Sequence, residues 1–179
     1  MIRLAAAAVG FIALAASTIS AQACNPLLGK NFGKHVQPMA LPAAMLARNS
    51  AHGASRASIV GLWHVVHTAS DGTLFLESFD QWDTDGAETE LGNLPPATGP
   101  ICIGTWKLTG KTVDLETHVT WLYDLNNNWQ GTLNMTQTNK VSKDGNSYSG
   151  NFDAKFYDTS GNQFMEIAGT SAADRLVSQ

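Results

Sequence analysis

The chain has 179 residues, 44% of them hydrophobic, and carries 11 basic against 15 acidic side chains for a formal net charge of −4. That balance gives no electrostatic footprint for nucleic acid or for an anionic membrane surface. The length suits one domain of ordinary size, and the two cysteines offer at most one disulfide.

Residues 1–23 read as an export leader: Arg3 near the start, an apolar run from Leu4 to Ala16, then Ser17 to Ala23 ending in Ala21-Gln22-Ala23. The run falls short of the ~20 apolar residues of a membrane span, and no second stretch of that length follows, so no transmembrane segment is expected in the mature chain. Removing the leader leaves about 156 residues, with ten basic against fifteen acidic side chains and a net charge of −5. The expected location is the periplasm or the exterior.

Residues 24–57 hold Pro26, Pro38 and Pro42 with Gly29, Gly33 and Gly53, and read as a tether. Pro42 to Arg48 suits a short helix, since proline fits the first turn and alanine and leucine favour helix. Cys24 would be the first mature residue and has two open fates. Paired with Cys102 it closes a long loop, worth roughly 4 kcal/mol in the chain-entropy model. Lipidated, it would tether the protein to a membrane, although Ala21 stands where lipoprotein signals favour leucine.

All five tryptophans lie beyond Ile59, and there the folded domain, residues 58–179, begins. Runs rich in β-branched and aromatic residues alternate with turn signals at Ser70-Asp71-Gly72, Asp83 to Gly86, Thr109-Gly110, Asn126 to Asn128, Asp144-Gly145-Asn146 and Ser160-Gly161-Asn162. Eight strands follow: 59–68, 73–82, 87–91, 101–108, 112–123, 130–142, 147–157 and 164–176. Pro95, Pro96 and Pro100 share one loop and spare every strand. Connections this short make neighbours antiparallel, so the expected fold is all-β, an eight-stranded antiparallel up-and-down barrel that removes both sheet edges.

Alternation marks one buried face. Val113, Leu115, Val119, Trp121 and Tyr123 alternate with Asp114, Glu116, His118 and Thr120, and Tyr148, Phe152, Ala154 and Phe156 alternate with Ser149, Asn151, Asp153 and Lys155. An outer-membrane barrel would turn the apolar face to lipid, and Thr132 to Asn139 is too polar on both faces for that.

Gly61-Leu62-Trp63 in the first strand resembles the Gly-x-Trp that opens lipocalins, whose tryptophan plugs the closed barrel end. The segments Phe79-Asp80-Gln81-Trp82 to Gly86, Cys102 to Lys107, and Asp144 to Gly150 are similar to a group of secreted bacterial lipocalin-like, calycin-type proteins of unassigned function, over nearly all of Ser58 to Arg175. The resemblance implies the barrel, a cavity, a structural role for Gly61 and Trp63, and an arginine packed over that tryptophan, for which Arg175 is the candidate. It brings no catalytic set, and avidin-like ligand residues do not map, so biotin is not expected.

His64 and His67 stand three apart on a strand, so their side chains leave opposite faces and cannot share a site. A zinc site would need one of them with His118 and a carboxylate from elsewhere, which the sequence does not demand; no metal and no cofactor are assigned. Asp124-x-Asn126-x-Asn128 opens like a calcium loop but has Trp129 and Met135 where glycine and glutamate are required, and reads as a polar turn. Asp83, Asp85, Glu88 and Glu90 read as an acidic surface hairpin. Cys102 and His118, on adjacent strands, could serve as nucleophile and base, but Asp114 and Glu116 oppose a thiolate, which favours a disulfide or an inert thiol. Asp80 shares a face with Leu74, Leu76 and Trp82, so it is the inward acid best suited to proton transfer, with His118 as the other candidate.

Trp63, Trp121, Tyr123, Tyr148, Phe152 and Phe156 either line a ligand pocket or fill the core, since eight strands leave room for side chains or one small ligand. Three functions stay open: binding of a small, largely apolar molecule in the interior, isomerisation or cyclisation through Asp80 or His118, and a structural module with a filled barrel. The oligomeric state is open too.

Overall fold

The structure is a computed structural model that describes residues 58–177. The leader, the tether with its Pro42 to Arg48 segment, and Cys24 lie outside these residues. The described chain forms eight strands: β1 (Gly61–Ala69), β2 (Leu74–Trp82), β3 (Ala87–Gly92), β4 (Ile101–Thr109), β5 (Thr112–Tyr123), β6 (Trp129–Val141), β7 (Ser147–Tyr157) and β8 (Gln163–Arg175). Each pairs antiparallel with the next, and β8 returns to β1 through registers from Trp63↔Arg175 to Ala69↔Gly169, which closes the barrel. A single 3-10 turn, Pro96–Thr98, interrupts the β3–β4 loop where the three prolines cluster.

The turns hold themselves together. In the β5–β6 hairpin the Asp124 carboxylate accepts from the backbone N–H groups of Asn126 and Asn128 and from the Asn128 side chain. Those donors hold its carboxyl below the ordinary range, so the calcium-like spacing is a self-capped turn. Asp158 does the same in the β7–β8 hairpin through Ser160 and Asn162.

One apolar layer seals the end where β1 begins. It contains Ile59, Trp63, Val65, Trp82, Val113, Leu115, Tyr148 and Ala173. Trp63 is fully buried and its indole N–H donates to the Ile59 carbonyl at 2.7 Å. The Arg175 guanidinium lies over the Trp63 ring, 4.0 Å from its centroid, and donates to the carbonyls of Ser58, Val60 and Gly145. Gly61 allows this clasp: it has φ 135, and a Cβ there would lie 2.5 Å from Arg175 Nη1. A second apolar layer, with Phe75, Leu76, Leu122, Leu133, Met135, Phe152 and Phe156, fills the other half of the barrel. Phe75 and Phe152 stack there with centroids 4.9 Å apart.

The largest irregularity lies in β5. Leu115 pairs with Gln137 and Val119 with Asn134, so β5 carries one residue more than β6 over the same interval. Against β4, Thr105 and Trp106 pair with Thr117 and Leu115, which leaves Glu116 unpaired. Glu116 and Thr117 are both exposed, and beyond them the inward set changes parity to His118, Thr120 and Leu122. A one-residue bulge turns every later side chain to the other face. Trp121 and Tyr123, expected on the buried face with Leu115, therefore point outward, and His118, expected in water, is fully buried.

The arginine clasp has a measurable weight. Arg175→Lys keeps the charge but loses the fork that reaches three carbonyls, so urea unfolding should show a loss of about 1–3 kcal/mol. An unchanged midpoint would show that the clasp contributes nothing to stability.

Candidate functional site

Between the two apolar layers the barrel interior is polar and charged. His67, Ser78, Asp80, Glu88, Glu90, His118, Gln137, Asn139 and Ser171 are all buried there. Strand register delivers them. Asp80 pairs with Glu90 and Glu90 with Cys102, so an acid, an acid and a thiol sit side by side across β2, β3 and β4. One rung nearer the sealed end, Gly104 pairs with Glu88 on one side and His118 on the other. Having no side chain, Gly104 leaves the room in which those two meet; a Cβ there would lie 2.7 Å from Glu88 Oε2 and 2.6 Å from the Thr117 carbonyl.

The resulting chain of contacts runs across the barrel. His118 Nδ1 lies 2.9 Å from Glu88 Oε2, and its Nε2 lies 2.9 Å from Glu90 Oε2 in an ion pair that is not a hydrogen bond. The other Glu90 oxygen lies 3.1 Å from His67 Nε2, and His67 Nδ1 lies 2.8 Å from the Ser171 hydroxyl, its partner in register. A second branch holds Asp80. Ser78 donates to its Oδ1 at 2.9 Å and Tyr148 donates to its Oδ2 at 3.2 Å.

Burial and pairing set the charges. Burial drives the Asp80 carboxyl well above the ordinary range, and the charges of Glu90 and Glu88 add to it. Glu90 responds in the opposite sense: burial pulls it up, but His118 and His67 together outweigh burial and hold it far below the usual value. Burial pulls His118 down, yet the Glu88 and Glu90 carboxylates raise it well above an ordinary histidine. Glu88 stays above its usual value because burial exceeds the pull of His118. His118 thus stands between two glutamates that favour its charged form, beside an Asp80 whose neutral form is favoured by burial.

The sequence-derived site residues divide. Asp80 and His118 both enter this interior, as do Trp63, Tyr148, Phe152 and Phe156. Trp121 and Tyr123 do not join them. Glu88 and Glu90, expected on a surface hairpin with Asp83 and Asp85, are 1% and 0% exposed. The two histidines of β1 separate as their spacing demands: His67 faces inward, while His64 pairs on the outer wall with Glu77, 2.7 Å away. Cys102 is fully buried among the inward groups, and no disulfide is seen among the described residues. Glu88 and Glu90 were placed on the surface although they alternate with Ala87, Thr89 and Leu91 on β3, and His67 on β1 was given no role.

The outer wall carries a second feature. Where β4, β5 and β6 meet the proline loop, a cleft of about 560 Å³ is lined by Gly99, Pro100, Ile101, Ile103, Val119, Trp121, Tyr123 and Tyr157, with Thr132 and Asn134 at its polar side. Ile103 is 60% and Trp121 50% exposed, so the lining is open to solvent.

The charged triad should respond to substitution in a distinctive order. His118→Leu leaves Glu88 without its partner and Glu90 with His67 alone, and should cost about 3–5 kcal/mol in urea unfolding. Adding Glu88→Leu should recover part of that loss, because the buried acid that lost its partner is then gone while Glu90 keeps His67. A double variant less stable than the single one would contradict the assignment. Gly104→Ala should cost about 1–3 kcal/mol by the same measurement, since the Thr117 carbonyl and Glu88 must shift.

No family model matches the chain, and no curated protein matches it. Among solved structures the chain is similar to a protein of unknown function from the DUF3598 family of Nostoc punctiforme, at 12% sequence identity and a TM-score of 0.30. The match covers 76% of this chain and 52% of that one, so the chain spans about half the length of that structure.

Proposed function

We propose that the protein is an exported, lipocalin-like barrel that binds a small, largely apolar molecule, and that the molecule lodges in the outer cleft beside Trp121. The observation that carries this reading is the cleft itself. Its volume falls within the ~300–1,000 Å³ of small-molecule pockets, and its walls are aliphatic and aromatic with a few polar groups at one side. Trp121, Ile101 and Ile103 spend apolar area on water in the free protein, and a ligand that covers them recovers about 25 cal/mol for each Å² buried. What supports export is the pattern of residues 1–23, and what supports the lipocalin likeness is Gly61 and Trp63 with the Arg175 guanidinium over the Trp63 ring.

The interior favours a second reading, acid-base isomerisation or cyclisation with Asp80 or His118 as the proton-transfer group, because Asp80 is buried, its carboxyl is raised well above the ordinary range, and it accepts a hydrogen bond from Tyr148. The cleft is preferred, since Asp80 and His118 are sealed from solvent whereas Trp121 is open to it.

Titration with a neutral fluorescent naphthylamine tests the choice. The probe should bind and brighten, tryptophan emission should shift to the blue, and Trp121→Ala should weaken binding tenfold or more, as expected from losing a tryptophan contact of about 1.5–3 kcal/mol. Trp129→Phe, at an exposed tryptophan outside the cleft lining, should leave binding unchanged. Binding that survives Trp121→Ala would move the ligand elsewhere; no binding of any apolar probe would favour a structural module with a filled barrel.

A further inference from the structure

We propose that Glu90, Cys102 and His118 form an interior binding site for one divalent transition-metal ion of the zinc type. The three residues are buried, and an oxygen, a sulfur and a nitrogen from them lie within 4.8 Å of one another. A zinc-type ion sits ~2.0–2.3 Å from its donors, which places tetrahedral neighbours ~3.3–3.8 Å apart. Side-chain shifts of about an ångström or less bring the trio to that spacing. A set of one thiolate, one imidazole and one carboxylate suits zinc or cobalt and not magnesium or calcium, which take oxygen donors.

The orientation of the histidines points to the ion. His118 Nδ1 is held by Glu88 at 2.9 Å, which leaves Nε2 turned toward Glu90, also 2.9 Å away. Metal-binding imidazoles are oriented by a carboxylate on the far nitrogen in the same way. His67 repeats the pattern, with Nδ1 against the Ser171 hydroxyl and Nε2 against Glu90. His67, Asp80 and Glu90 form a second buried trio with donor atoms equally close, so the nearest additional donors are already in place.

Glu90 Oε2 and His118 Nε2 are fully buried and pair with each other at 2.9 Å, outside hydrogen-bonding geometry. An ion of this type would bind between them as His118 Nε2 and the Cys102 thiol each give up a proton. This inference concerns the interior alone and does not depend on the outer cleft.

The full exported chain, stripped with chelator, unfolded in urea and refolded with cobalt(II), provides the test. One cobalt per chain should bind, with a thiolate-to-cobalt charge-transfer band in the near ultraviolet; zinc should displace it and magnesium should not. Cys102→Ser should abolish the band, Cys24→Ser should keep it, and Glu88→Gln should keep it while weakening binding 10–100-fold. X-ray absorption of the zinc-loaded wild type should find one sulfur neighbour at about 2.3 Å, a measurement that needs no variant to fold. A sulfur-free shell, a band that survives Cys102→Ser, or refolded wild type without stoichiometric cobalt would overturn the site.

Discussion

An imidazolium held between two glutamates in the centre of a closed barrel constrains everything around it. His118 is fully buried, with Glu88 and Glu90 each 2.9 Å away. An ion without its partner at that depth costs several kcal/mol. The register of β3, β4 and β5 is therefore pinned twice, by hydrogen bonds along the wall and by charge inside it. A slip of one residue in β3 would carry both glutamates out of the barrel and leave the imidazolium unpaired. Replacement of such a group by packed apolar residues is often neutral or stabilising. Its presence here thus specifies register and does not by itself add to the stability of the fold.

The bulge at Glu116 explains why two features that look unrelated occur on the same strands. It turns His118 inward and, by the same change of parity, turns Val119, Trp121 and Tyr123 outward. On β3 and β4 the pattern is also inverted: Glu88, Glu90 and Cys102 face in, while Leu91, Ile101 and Ile103 face solvent. This sector of the wall is built inside out. A charged interior and an apolar exterior cleft are two sides of one arrangement, and a mutation that straightens β5 would dissolve both together.

How much of this was legible follows from what alternation encodes. All eight strands and the closed antiparallel barrel could be read from turn residues and period-two runs, with boundaries within a residue or two. Asp80 was legible as an inward group because Leu76 and Trp82 share its face. Alternation gives a period, however, and not which face is inside. For β3 the charged set was assigned to water, because the partners that make burial tolerable, His67 and His118, come from other strands. For β5 the apolar set at Val119, Trp121 and Tyr123 continued the parity of Val113 and Leu115 without a break in the sequence pattern. The extra residue between them shows only in the pairing with β4 and β6. His64 and His67 illustrate the converse, since their spacing alone sent them to opposite faces.

The Arg175 clasp also gives the molecule a direction. Because the guanidinium grips the carbonyls of Ser58 and Val60, the chain must enter the barrel at the end sealed by Trp63. Strands β4 and β6 start, and β5 and β7 finish, at the far end, and the cleft beside Trp121 opens there. Chain entry and the apolar cleft thus occupy opposite poles. An attachment made at Ser58 would therefore lie at the sealed pole and leave the cleft clear.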